Sequence, residues 1–298
     1  MAATGSSASV AVSPGATGAA AASVPASRFE RRALLLSAAG LLVLYWPTVA
    51  WLFDRWTMSV WHHAHGLLIP PVVAYFIYQE LHGRPDLPYS SSALGFLFVV
   101  PALALRALDA GMHTELLSAV SLVILLPGLS LLFVGVRRTR VIAFPLVFLA
   151  FALPIPLALT ESIHWELRQI ATAASAFLIP LIGTPVFVEG TTVHLPNGVV
   201  QISDACSGFS TLYASVAIAF LTAYSASGTG RRLLVLASAV PLAIGANILR
   251  VVGLILLVEH VGPWILDTFV HPLSGMLTFA LALPIILWLG ATGPRTGS

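Results

Sequence analysis

Residues 116–140, LLSAVSLVILLPGLSLLFVGVRRTR, decide what kind of protein this is. From Leu116 to Val136 no side chain carries a charge, and Arg137, Arg138 and Arg140 then follow at once. Crossing the hydrocarbon core of a bilayer takes about 20 apolar residues in a helix. A run of this length closed by arginines reads as a membrane span that ends on the cytoplasmic side.

The rest of the chain repeats the pattern. Apolar residues make up 58% of it and charged residues 9%, and the mean hydropathy is +0.93. A soluble domain carries roughly 25% charge, so much of this surface faces lipid. Further apolar segments lie at about 33–53, 66–79, 91–108, 141–159, 206–225, 233–258 and 271–290. Together with 116–136 they predict an all-α polytopic fold of about eight spans. The segment 66–79 is short and holds Pro70 and Pro71; it is counted as a span, although a re-entrant piece also fits.

Arginine placement orients the spans. Arg28, Arg31 and Arg32 precede the first, Arg84 follows the second, and Arg137, Arg138 and Arg140 follow the fourth. Arg231 and Arg232 separate the two spans after residue 206, and Arg295 follows the last. Eight spans with both termini in the cytoplasm put every one of these groups inside. Residues 160–205 then begin and end outside. Their first half, Glu161 to Gly183, carries Glu161, His164, Glu166 and Arg168 and predicts an amphipathic helix at the outer face. Their second half, Thr184 to Ser203, predicts a short hairpin about Asn197-Gly198. The expected organisation is an uncharged, disordered tail at 1–27, a single transmembrane domain at 28–290 and a short tail at 291–298.

Composition removes several chemistries. All fourteen basic residues are arginine, so serine–lysine dyads and Schiff-base lysines are excluded. One cysteine forms neither an internal disulfide nor a cysteine-rich metal cage. There is no GxSxG, P-loop or dinucleotide fingerprint, and nothing suggests nucleic-acid binding. Asp109 and Asp267 are expected in loops, which leaves no pair of intramembrane aspartates. His62, His63 and His65 cluster before the second span. They lack HExxH spacing and a nearby carboxylate, so no metal and no cofactor is expected, and contact with substrate at the interface suits His65 better.

Three residues can carry chemistry. Cys206 lies in Ser203-Asp204-Ala205-Cys206-Ser207-Gly208, with polar residues poised to cap the helix that follows. In the first turn of that helix the dipole would favour a thiolate; equally, a lone cysteine can be a small core residue. Arg250 lies inside a span, about 12 Å from its outer end, where an arginine is costly unless paired or hydrated. Asn247 is three residues earlier on the same face. His271 opens the last span and can act as a base near neutral pH. The expected topology brings Cys206, Arg250 and His271 to one depth at the outer face.

These motifs resemble the exosortase/archaeosortase family. The likeness begins at Ala64-His65-Gly66-Leu67-Leu68-Ile69-Pro70-Pro71 and continues at Leu153-Pro154-Ile155-Pro156, Gly183-Thr184-Pro185-Val186 and Leu195-Pro196-Asn197-Gly198. It is sharpest at Asp204-Ala205-Cys206-Ser207-Gly208, Asn247-Ile248-Leu249-Arg250 and His271 with Gly275 and Phe279. The resemblance implies a membrane cysteine protease or transpeptidase of the plasma membrane with its active site outside. Cys206 would form an acyl-thioester, Arg250 would steady the intermediate or donate a proton, and His271 would be base or transition-state stabiliser. Asp204, Ser207, Asn247 and His65 would help hold the substrate. Implied partners are exported proteins bearing a C-terminal sorting signal: a short motif, often Pro-Glu-Pro, one hydrophobic span and a basic tail. Exopolysaccharide machinery would work alongside. The alternative is a transporter or an accessory protein of polysaccharide export, in which Arg250 and the segment near Pro70 line a path.

Overall fold

The computed structural model describes residues 28–57 and 64–291, with side chains described for 36–57 and 66–291. The expected tail at 1–27, His62 and His63, the His65 side chain and residues 292–298 lie outside the described residues. The chain divides into two units at Leu44; the first contributes only the start of the opening helix to what is described, and the second is Tyr45–Ser298.

The fold is helical, as expected, with one small sheet. In order, its elements are α1 (Arg28–Thr57), α2 (Ile69–His82), α3 (Phe96–Met112) and α4 (Leu116–Phe133). Two short helices follow, α5 (Gly135–Val141) and α6 (Ala143–Phe148), and then the longer α7 (Leu157–Leu181). The strands β1 (Phe187–Glu189), β2 (Thr192–Leu195) and β3 (Gly198–Gln201) lead to α8 (Phe209–Ser225), α9 (Thr229–Val261) and α10 (Val270–Ala291).

Six helical stretches among the described residues are long and apolar enough to cross a membrane: Leu36–Thr57, Ala93–Met112, Leu116–Phe133, Asp204–Ser225, Thr229–Val261 and Val270–Ala291. A seventh is present if the bent pair Ala143–Ala152 and Leu157–Leu181 forms one span. Apolar side chains point outward along them, Leu97 being 72% exposed, as lipid-facing surface requires. Two of the eight expected spans take other forms. Segment 66–79 becomes a 3-10 turn, Ala64–Leu68, feeding the 14-residue α2. Pro70 and Pro71 sit in the first turn of α2, where their missing N–H groups leave no bond unmade. Segment 141–159 is broken into α6, a 3-10 turn at Leu149–Ala152 and an extended stretch that bends the chain by 79° into α7. Pro154 and Pro156 cause the break, since each removes a donor and pushes its predecessor out of the helical region.

Asp109 is not in a loop. It belongs to the last turn of α3 and is only 2% exposed. Its carboxylate accepts from the Thr114 backbone N–H at 3.0 Å and hydroxyl at 2.5 Å, from the Ser118 N–H at 3.0 Å, and from the Ser118 hydroxyl. One side chain thus closes the α3–α4 corner and places an anion on the N-terminal turn of α4, where the helix dipole favours it. At the other end of the pair a Cβ on Gly95 would lie 2.5 Å from the Gly128 carbonyl oxygen, so only a small residue lets the helices meet there.

The scaffold of the later site is α8, α9 and α10, which pack on one another. Their contact is built from Ala219, Ala223, Val235, Ala239 and Ile286, and the three alanines allow close approach. The strands form an antiparallel sheet in the order β1-β2-β3. Val193, Leu195, Val200 and Ile202 are buried against Ala171 and Ile179 of α7 and Val251, Ile255 and Val258 of α9. The expected hairpin is present, but Leu195 pairs with Gly198, so the two-residue loop is Pro196-Asn197 and not Asn197-Gly198. Contacts with α9 decide this register. The Asn197 backbone N–H and side-chain amide donate to Glu259 at 3.0–3.1 Å, and a Cβ on Gly198 would lie 2.9 Å from Val258.

The Asp109 corner gives the first prediction. Asp109→Ala leaves four donors without their acceptor and is expected to cost about 2 kcal/mol or more, the range for hydrogen bonds to a charged group. Thermal unfolding in detergent measures the loss, and alkylation of the distant Cys206 in the folded protein should keep its wild-type rate.

Candidate active site

β3 runs directly into the site. After Ile202 and Ser203 the chain makes a 3-10 turn, Asp204–Cys206, and α8 begins only at Phe209. Cys206 therefore lies just before the helix and not in its first turn, as the capping pattern suggested. The interruption is Gly208, whose φ is +83°, a conformation natural only to glycine. A Cβ there would also lie 2.4 Å from the Asn247 Cγ.

Asn247 explains that close approach. Its Nδ2 donates to the carbonyl oxygens of both Cys206 and Ser207, at 3.1 and 2.9 Å. The amide, 4% exposed, thus holds the backbone that immediately follows the thiol. Its orientation follows from the two acceptors, since only the NH₂ end can serve them. Ser207 is buried and holds the same elbow from the other side: its hydroxyl donates to the Asp204 carbonyl at 2.8 Å and lies 2.7 Å from His164 Nδ1. A hydroxyl has one proton, so His164 donates from Nδ1 and Ser207 accepts. Asp204 is exposed and pairs with Arg168 of α7 at 2.9 Å. Asp204, Ser207 and Asn247 are thus gathered around Cys206.

Arg250 and His271 reach the thiol from α9 and α10. The Arg250 Nη1 donates to the Ala205 carbonyl at 3.2 Å and its Nε to the Ser274 hydroxyl at 2.9 Å. Ser274 in turn donates to the His271 carbonyl at 2.6 Å. The guanidinium is therefore pinned one residue before Cys206 and coupled to the first turn of α10, with further N–H donors left over. His271 Nε2 lies 3.9 Å from the Cys206 Sγ, within hydrogen-bond reach for sulfur. Its Nδ1 is buried and has no partner among the described residues. Cys206 itself is 7% exposed and opens into a cleft of about 190 Å³ bordered by Gln201, Ser203, Leu254, Leu266 and His271. Leu254 also borders a more apolar groove of about 260 Å³ between α9 and α10, where Arg250, Ser274 and Thr278 are the polar lining. Among the described residues no three His, Cys, Asp or Glu side chains form a metal-sized group.

The three residues expected to share the chemistry are thus gathered at one turn, with Cys206 and His271 lining the cleft and Arg250 the adjoining groove. Sequence reasoning missed three contributors. Ser274 stands three residues after His271, on the same helical face, and that spacing could have found it. His164 was noted only as part of a polar helix, because nothing local ties α7 to Ser207. Gly208 was read as part of a motif without its backbone role.

A polytopic α-helical membrane protein with a cysteine, a histidine and an arginine converging on one backbone turn holds a defined class of site. Residues 56–288 match the family model for transmembrane exosortases, and the chain belongs to that family. The match takes in every residue of the cleft. No curated protein and no solved structure matches the chain.

Gly208 provides a sharp test of this geometry. Gly208→Ala is expected to cost about 1–3 kcal/mol from backbone strain alone and to displace Asn247 as well. Cys206 alkylation by a small maleimide should then depart from its wild-type rate, whereas Gly230→Ala, at an open position near the start of α9, should leave it unchanged.

Proposed function

We propose that this chain is a membrane-embedded cysteine transpeptidase that cleaves the C-terminal sorting signal of exported proteins and passes them to an acceptor amine. The observation that carries this reading is the 3.9 Å approach of His271 Nε2 to the Cys206 thiol beside the anchored Arg250 guanidinium. Membership of the exosortase family supports the same class of reaction.

In the proposed reaction His271 Nε2 takes the thiol proton and the Cys206 sulfur attacks the scissile carbonyl carbon. The carbonyl electron pair moves onto oxygen, and a free Arg250 N–H donates to that oxyanion. Arginine serves as donor and not as base, because a guanidinium keeps its proton at these pH values. When the intermediate collapses the carbon–nitrogen bond breaks. The leaving amine takes the proton from His271, and an acyl-thioester remains on Cys206. An acceptor amine then attacks the thioester, the thiolate leaves, and the proton released by the amine returns to it through His271. Asp204 and Ser207 shape the elbow, and Asn247 keeps its carbonyls fixed; His65 is proposed at the substrate entrance. The arginine pattern supports cytoplasmic termini and a site at the outer face of the plasma membrane, where exopolysaccharide machinery and exported substrates meet.

Co-expression with a tagged protein that ends in a short motif, one apolar span and an arginine tail tests the proposal. Cys206→Ala should abolish processing on an immunoblot; processing at the wild-type level would sink the nucleophile assignment. Arg250→Gln should lower the rate about 10²–10³-fold, as loss of an oxyanion donor does, with substrate capture retained.

A further inference from the structure

β3 is an edge strand, since the sheet order is β1-β2-β3. Its pairing with β2 sets which backbone groups are used. The Ile202 N–H donates to the Thr191 carbonyl at 2.9 Å, and the register pairs Gln201 with Thr192 and Val200 with Val193. Hydrogen-bonded and non-hydrogen-bonded pairs alternate in an antiparallel ladder. Ile202, Val200 and Gly198 therefore turn their amides to β2, while Val199 and Gln201 turn theirs away from it. No hydrogen bond among the described residues occupies the Gln201 N–H or carbonyl. Side chains sort the other way: Val200 and Ile202 are buried in the core beneath the sheet, and Gln201 is exposed.

That edge is placed where a peptide would need it. Gln201 and Ser203 border the same cleft as Cys206 and His271, and β3 runs without interruption into the turn that carries the thiol. The other edge, β1, has three residues and does not border the cleft. A bare strand edge is a template for another chain, and native proteins usually cover or charge such edges. The segment from Gly198 to Ser203 carries no charged side chain.

We infer that the free edge of β3 binds the substrate polypeptide as an added strand, reading its main chain through the Gln201 amide and carbonyl and leading the scissile bond to Cys206. This rests on the peptide substrate proposed above and assigns how that substrate is held. Main-chain pairing supplies affinity while alternate side chains face the cleft and solvent. The extended form also presents successive carbonyls along the edge, so that pairing register selects which one meets the sulfur.

The test uses the full-length enzyme and a tagged protein from the same genome that ends in a motif, one apolar span and an arginine tail. Gln201→Pro removes the outward N–H and spares the ladder to β2, a placement that edge strands tolerate. It should leave the alkylation rate of Cys206 unchanged and raise the KM for the tagged substrate about tenfold or more, as an unmade buried hydrogen bond does. Wild-type KM and kcat in this variant would overturn the proposal. If alkylation also changes, a crosslinking scan decides. In a Cys206→Ala background, Gln201→Cys is joined by a short bismaleimide to single cysteines placed along the substrate motif. Strand pairing gives crosslinks at alternate positions, several-fold above the positions between them; equal yields along the motif, or none, overturn it. Processing that survives Cys206→Ala alone would count against the cysteine chemistry and leave the crosslinking pattern to judge the edge.

Discussion

One side-chain amide organises this site. Asn247 donates to the carbonyls of Cys206 and Ser207, and this fixes the chain where a strand hands over to a membrane helix. Gly208 must take a positive φ to fit beneath it, and α8 can start only after that. Arg250 is three residues further along α9, so the clamp also sets where its guanidinium meets the Ala205 carbonyl. Elbow and cation are thus in register because they hang on adjacent positions of one helix face. His164 and Ser207 brace the elbow from the side of α7.

Elsewhere two buried charged groups are met by partners, as a low-dielectric surrounding demands. Asp109 takes donors from Thr114 and Ser118. Arg138 is buried, donates twice to the Leu87 carbonyl and lies 3.6 Å over the Tyr89 ring. Six buried side-chain atoms among the described residues have no hydrogen-bond partner, and three of them, Asn247 Oδ1, His271 Nδ1 and Arg168 Nε, stand around the Cys206 elbow. Native proteins relax their own rules mainly where function requires it, and half of these unpaired atoms stand at this one elbow.

Much of this was legible in the sequence. Long apolar runs correspond to six helices of spanning length, and the motifs around Cys206, Arg250 and His271 meet at one turn. The failures have local causes. Pro154 and Pro156 break a segment whose composition alone reads as a span, and hydropathy is blind to that. Pro70 and Pro71 set the start of another, so that the expected segment 66–79 is displaced to Ile69–His82 without growing longer. Asp109 reads as a loop residue because no local signal shows the Thr114 and Ser118 donors folding back on it. The hairpin loop was displaced by one residue, since Asn197 is held by Glu259, far away along the chain. His164 belongs with these cases: its partner, Ser207, is fixed by packing of α7 and not by spacing.

The account stands on covalent chemistry at Cys206. Mixing the detergent-solubilised enzyme with a sorting-signal substrate, quenching in acid on the time scale of turnover and weighing the intact protein tests it directly. A mass increase equal to the substrate's N-terminal fragment, mapped to Cys206 and released by hydroxylamine, is the predicted result. Turnover without any adduct on Cys206, or with an adduct on another residue, would contradict it.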